Sequence, residues 1–241
     1  AGERVRIWTG EIEAHITADI GFAVLQYWQA TGDNEFMRNF GLQMLLEICA
    51  FWAGFAKFEK ESGQYEIRDV IGPDEFHEHV DNNVYTNYLV KWILIRTVEA
   101  ASKELASDPA SVAATLRAAG LELECLKEFS RVAGLLKVPA GKDTLLIEQF
   151  DGYFDLDDPE ITRWDENGMP LWPDSLDLGR IDRTQLIKQP DVVMLFALLG
   201  SEFDREVKCA NYDYYEKRTM HKSSLSPSMY AMVGLPLGRN A

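Results

Sequence analysis

Two long runs of apolar residues at helical spacing, separated only by Thr31-Gly32-Asp33-Asn34, limit what this chain can fold into. Ala14 to Ala30 carries Ile16, Ile20, Ala23, Val24 and Tyr27 at helical intervals. Glu35 to about Lys60 carries Met37, Phe40, Met44, Leu45, Ile48, Phe51, Trp52 and Phe55. The break holds a glycine and two candidate N-caps, Asp33 and Asn34, so the pair reads as an αα-hairpin. Further helices are predicted from about Asn83 to Leu105, from Pro109 to about Gly120, and over Glu122–Ala133, Asp191–Leu199 and Phe203–Lys217, with a last one from Pro227. Tyr65–Val70 alternates enough for one short strand. Thr144–Glu148 is a short apolar segment, and 151–180, rich in Asp, Pro, Gly and Trp, reads as a long irregular loop of the functional kind. The fold class is all-α, in paired helices with long loops.

Composition narrows the partners. Net charge is −15 over 241 residues, which argues against nucleic acid and anionic membranes but leaves room for a phosphate site built from a few local donors. Apolar residues make up 46%, enough for a substantial core, and most of the six Trp and nine Tyr belong there, although some suit sugar stacking. Cys49, Cys125 and Cys209 form no CxxC, so neither a zinc site nor a disulfide framework is indicated. A reducing cytoplasm is the expected setting. No apolar run reaches membrane-spanning length and no signal peptide is visible.

Chemistry concentrates in Tyr65–Tyr88, YEIRDVIGPDEFHEHVDNNVYTNY. Gly72-Pro73-Asp74 forces a turn, Glu75 sits on it, and Asp81-Asn82-Asn83 can cap a helix from Val84. A carboxyl group held there, partly desolvated and near other acids, suits a general acid. An acidic surface loop with a capping Asp accounts for the same residues. Glu78 is the alternative acid, and His77 and His79 can pair with the carboxylates. With no third ligand at metal spacing, no metal site is expected. His221-Lys222-Ser223-Ser224-Leu225-Ser226-Pro227-Ser228 reads as an anion cradle. Ser226 would be the N-cap and Pro227 the first helical residue, leaving N–H groups and the positive helix end toward the loop. Ser223 and Ser224 add hydroxyls, and His221 a charge-assisted donor. An ordinary capped helix fits as well.

GPDEF-HEHVDNN-YTNY resembles the catalytic signature of glycoside hydrolase family 65. Three further blocks agree in order: IWTGEIEAHITADI (Ile7–Ile20), IKQPDVVML (Ile187–Leu195) and HKSSLSPS (His221–Ser228). The family holds inverting phosphorylases of α-linked glucosyl disaccharides and some hydrolases. The resemblance implies most of an (α/α)6 barrel of paired antiparallel helices, incomplete here, with active-site loops at one mouth. It also implies that the family's N-terminal β-sandwich, first barrel helices and C-terminal β-domain lie outside these residues.

The resemblance further implies Glu75 as general acid, His221, Ser223 and Ser224 as phosphate ligands, and Lys188 and Gln189 as ligands of the glucosyl unit. Trp8 and Glu11, with Glu13 and His15 nearby, suit a sugar subsite, though packing roles are as plausible for the Trp and the His. Gln149, Asp151 and Tyr153 match a QFDGYF-like segment near the site. The expected reaction is phosphorolysis to β-glucose 1-phosphate and a free sugar, with inorganic phosphate as co-substrate and no metal or organic cofactor. YEIRDVIGPDEFHEHV looks closer to the kojibiose type than to the maltose or trehalose types. The competing readings are a hydrolase with water as nucleophile, recruiting Asp151 or Asp155 as base, and a sugar-binding fragment without catalysis. Members of the family this chain resembles are often dimers, so the resemblance also allows a homodimer for the full-length protein.

Overall fold

A computed structural model describes residues 7–8, 10–139, 145–174 and 176–239. The described chain is mostly helical, as its spacing requires, and divides into two compact units.

One unit comprises Ala14–Ile67 and Thr86–Lys137. It holds α1 (His15–Thr31), α2 (Asn34–Phe36), a π-turn (Met37–Gly41), α3 (Leu42–Phe55), most of α4 (Val84–Ser107), α5 (Pro109–Ala118) and α6 (Cys125–Leu135). Gly32, at φ 67°, ends α1 by donating its N–H to the Trp28 carbonyl, a left-handed cap that glycine adopts without strain. Asp33 then caps α2, its Oδ1 accepting the Phe36 N–H at 2.9 Å. Asp108 does the same for α5 through the Ser111 N–H, with Pro109 in the first turn. Each such cap contributes about 1 kcal/mol.

Ala18, Phe22, Leu25, Leu45, Leu46, Cys49, Trp52, Leu89 and Ile93 form the core of this unit. Burial pushes the Cys49 thiol up to about 12, so it serves as a packing side chain. Gly21 admits α4 closely, since a Cβ there would sit 3.1 Å from Ile93 Cδ1.

Three expectations need correction here. The stripe on α1 is turned: Ile16, Ile20 and Tyr27 are exposed, while Ala18, Phe22 and Leu25 are buried. The helix is apolar on more than one face, and periodicity alone cannot choose between faces. The second helix does not run to Lys60. It passes through the π-turn, leaves Phe40 and Phe51 exposed, and stops at Phe55. Lys57–Glu59 (β1) then pairs antiparallel with Gln64–Glu66 (β2), with Phe58 opposite Tyr65. The strand predicted over Tyr65–Val70 is this shorter β2.

The second unit comprises 1–13, Arg68–Tyr85 and Val138–Ala241. Its helices are α7 (Asp191–Leu199), α8 (Arg205–Glu216) and α9 (Ser226–Leu237), which pack on one another. Tyr153, Leu186, Val192, Val193, Leu195, Tyr215 and Tyr230 are fully or almost fully buried in it. Residues 151–180 are irregular as expected, apart from a 3-10 turn at Tyr153–Asp155; a longer one follows at Leu178–Arg183. Among the described residues, no helix is long and apolar enough to cross a membrane. Thr9, Thr144 and the last two residues lie outside the described residues.

Candidate active site

The loop that carries Glu75 is pinched at its base. Val70 and Val80 exchange backbone hydrogen bonds of 3.0 and 2.8 Å, so the residues between them form one closed loop. Its entry is tied to Ile12, whose carbonyl accepts the Ile71 N–H at 3.1 Å. Gly72 is required by close approach, because a Cβ there would lie 2.3 Å from both Asn83 Nδ2 and Asp191 Oδ2. Asp74 follows, 1% exposed.

Glu75 points out of this buried base, its side chain 54% exposed. Lys188 Nζ donates to Oε2 at 2.6 Å, and Gln189 Nε2 donates to Oε1 at 3.1 Å. The desolvated environment expected for Glu75 is absent from the described residues. What surrounds it is a cation and an amide. The structure thus brings Glu75 together with two neighbouring residues more than a hundred positions further along the chain.

Beneath them lies a buried polar layer. Asp74 Oδ2 meets His77 Nδ1 at 2.6 Å and accepts Gln149 Nε2 at 3.0 Å. Asp74 Oδ1 accepts the backbone N–H of Lys188 at 2.8 Å. The Asp74 N–H goes to Asp191 Oδ1 at 2.8 Å, and Asn83 Nδ2 to Asp191 Oδ2 at 2.7 Å. His77 Nε2 donates to the Thr184 carbonyl at 2.7 Å. Burial alone would lower the His77 pKa, but the charge and hydrogen bond of Asp74 and the Thr184 carbonyl raise it above the ordinary range. Burial, joined by the Asp74 charge, holds Asp191 well above the usual carboxylate range despite the Asn83 hydrogen bond.

His221 stands near this site through backbone pairing. Ile187 pairs in parallel with Thr219, giving Ile187 N–H to Arg218 O at 3.0 Å and Met220 N–H to Ile187 O at 2.8 Å. Adjacent strands lie about 5 Å apart, so Lys188 and the His221 loop leave the pair side by side in the same direction. Trp172 joins them again: Phe76 packs against its ring at 5.7 Å, and Lys222 Nζ lies 5.7 Å from the same ring. No hydrogen bond among the described residues links Glu75, Lys188 or Gln189 to His221, Ser223 or Ser224.

The 221–224 loop differs from its expected form in two respects. Ser226 is the first helical residue of α9 rather than its cap, and Leu225 occupies the cap position without a side-chain hydrogen bond. The Ser226 hydroxyl instead donates to the Ser223 carbonyl at 3.2 Å and lies 3.1 Å from His221 Nδ1. Burial lowers the pKa of His221, which works against the charge-assisted donor expected there. Ser223 Oγ accepts the Leu225 N–H, and Ser224 is exposed. A cavity of about 1050 Å³ opens beside His221, with Trp164, Glu160, Glu216, Arg218 and Tyr230 among its walls, but neither Glu75 nor Lys188 lines it.

Most of the remaining candidates have structural partners. The Trp8 ring meets His79 edge-on at 4.7 Å, and His79 Nδ1 pairs with Asp69 Oδ1 at 2.5 Å. Glu11 is exposed, and its N–H bonds the Trp8 carbonyl. Glu78 and Asp155 are exposed, and Asp151 accepts Asn82 Nδ2 at 2.8 Å. Tyr153 is buried, with its hydroxyl on the Gln185 carbonyl. His15 bonds Asp19 within α1.

The chain matches the glycosyl hydrolase family 65 central catalytic domain over residues 2–241. It belongs to this family. Family relatives include the kojibiose phosphorylase of Thermoanaerobacter brockii, 52% identical over 98% of this chain. The 1,2-alpha-glucosylglycerol phosphorylase of Bacillus selenitireducens is 36% identical over 99% of it. The chain spans 31% of the length of each. A solved structure provisionally described as a kojibiose phosphorylase, from the human microbiome, superposes with a TM-score of 0.81 at 33% identity, covering 92% of this chain and 30% of that one.

Asp74, Asp191, Asn83 and Gly72 were not legible as a unit. Asp74 reads as a turn residue and Asp191 as the first residue of a helix, and only the fold shows one beneath the other. A sequence signal did exist: each acid adjoins a proline, Pro73 or Pro190, next to a candidate site residue.

Proposed function

We propose that the protein carrying this chain is an inverting phosphorylase of an α-linked glucosyl disaccharide. Glu75 gives its proton to the leaving oxygen, phosphate attacks C1 from the opposite face, the glycosidic C–O bond breaks, and β-glucose 1-phosphate leaves with a free sugar. Phosphate already carries the charge that water would need a base to supply, so one protein carboxylate suffices. The observation that carries the reading is the parallel Ile187–Thr219 pairing, which sets the Lys188–Gln189 ligands of an acid beside a loop of hydroxyls and an imidazole. His221, Ser223 and Ser224 hold the phosphate in this reading. Kojibiose is the disaccharide we favour, because the relative at 52% identity acts on it.

Lys188 and Gln189 each give Glu75 one donor, and in this reading the same two groups hold the glucosyl hydroxyls, which keeps the acid beside the bond it protonates. Trp8 and Glu11 border the same loop and extend the sugar site. The reaction calls for inorganic phosphate as co-substrate and no other cofactor. The test is product formation from kojibiose and other α-glucosyl disaccharides, with and without inorganic phosphate. Glucose 1-phosphate formed only with phosphate supports the reading, and free glucose released at the same rate without phosphate refutes it.

A further inference from the structure

One buried carboxylate stands directly behind Glu75 and collects an unusual number of donors. Asp74 Oδ1 takes the backbone N–H groups of Lys188 at 2.8 Å and Phe76 at 3.3 Å. Its Oδ2 takes Gln149 Nε2 at 3.0 Å and faces His77 Nδ1 at 2.6 Å. The Thr184 carbonyl can only accept, so His77 Nε2 carries a hydrogen, and the short Nδ1 contact to a carboxylate carries a second. Asp74 is satisfied at the expense of Gln149, whose fully buried Oε1 has no hydrogen-bond partner among the described residues. A buried ion pair with an unmatched amide beside it is a costly way to hold a loop, and apolar side chains of similar volume in place of the pair often hold one as well or better. What the charge adds is directional placement of the groups it binds.

Those groups are the ones the proposed reaction uses. Asp74 and Phe76 flank Glu75 in the chain, and the Lys188 backbone is held by the same oxygen that holds Phe76. Resting on the reading of Glu75 as the acid, we infer that Asp74, clamped by His77, is a positioning residue whose carboxylate fixes Glu75 relative to Lys188 and Gln189. It touches no substrate. It sets where the acid's proton meets the leaving oxygen.

The test compares two substrates in the full-length protein carrying this chain: kojibiose, whose leaving oxygen must be protonated, and α-glucosyl fluoride, whose fluoride leaves without a proton. Both are run with inorganic phosphate, with Glu75→Gln as reference. Asp74→Asn is expected to lower kcat on kojibiose about 100-fold, the cost of a misplacement near 1 Å. Its loss on the fluoride should be several-fold at most, and the KM for phosphate should hold within about 3-fold. Equal losses on both substrates, or no loss on either, overturn the inference. If Asp74→Asn does not fold, His77→Gln, which leaves the carboxylate in place and removes a donor, is read by the same ratio. A Glu75→Gln variant as active on kojibiose as the unaltered enzyme would fault the reading of Glu75 itself rather than the role of Asp74.

Discussion

The His221 loop leaves the parallel Ile187–Thr219 pairing directly and the Glu75 loop meets it through Lys188, yet the two loops are built differently. The first rests on Asp74, His77, Gln149, Asp191 and Asn83, all at most 2% exposed and bonded across distant segments. The second is held mostly by bonds within its own few residues, Ser223 to Leu225, Ser226 to Ser223 and His221 to Ser226, with Lys222 Nζ donating to the Pro170 carbonyl at 2.8 Å as a longer tie. Each contains a left-handed histidine, His79 at φ 57° and His221 at φ 48°, a conformation that costs a non-glycine residue about 1 kcal/mol or more. The difference matches their proposed tasks. An acid must be placed to within a fraction of an ångström of one oxygen, whereas a phosphate is gripped by several adaptable donors.

Substitutions can break or sharpen this contrast. Glu75→Gln carries the largest expected effect, a fall in kcat on the disaccharide of about 10²- to 10⁴-fold with an unchanged melting temperature, because the side chain is exposed. Parallel assay and thermal unfolding check both halves. Gly72→Ala comes next. Its Cβ would collide with Asn83 and Asp191, so denaturant unfolding should show a loss of about 1–3 kcal/mol. Ser224→Ala in the other loop should stay within about 0.5 kcal/mol.

His221→Ala should raise the KM for phosphate about 10-fold, the value of one hydrogen bond to a charged group, and leave stability nearly untouched. Initial rates over a phosphate series decide it. An equal rise in the KM for disaccharide would show that the two loops do not divide the work as described.

The smallest effect concerns pH. Asp191 and His77 both have pKa values raised in the folded state. Protons bound by such groups stabilise the fold at low pH. The Asp191 contribution fades as pH rises from the ordinary Asp range toward its raised value, and the His77 contribution as pH passes its own raised value. Asp191→Asn should therefore flatten the decline of Tm between mildly acidic and neutral pH by about 2–4 °C, what ~1 kcal/mol gives a domain of this size. An unchanged slope would remove Asp191 from that role.

The same contrast explains what the sequence could and could not reveal. Local signals worked where local physics decides. Gly32 with Asp33, and Pro109, mark real helix ends, and the family blocks identify the family, with Glu75, Lys188 and Gln189 of those blocks meeting in space. Signals failed where distant segments decide. Ser226 has every local feature of a cap, yet its hydroxyl turns to the Ser223 carbonyl. Ile16, Ile20 and Tyr27 lie at helical spacing on α1 but not on its buried face. The layer under Glu75 draws on residues 72–83, 149 and 184–191, and no spacing rule connects them.

The measurement closest to the central claim is the anomeric configuration of the first sugar phosphate formed. Proton NMR of the protein carrying this chain, followed from the first turnovers on kojibiose and phosphate, reads it directly. Attack by phosphate opposite a single carboxylic acid predicts β-glucose 1-phosphate. Accumulation of the α-anomer would require a second displacement and would contradict the account.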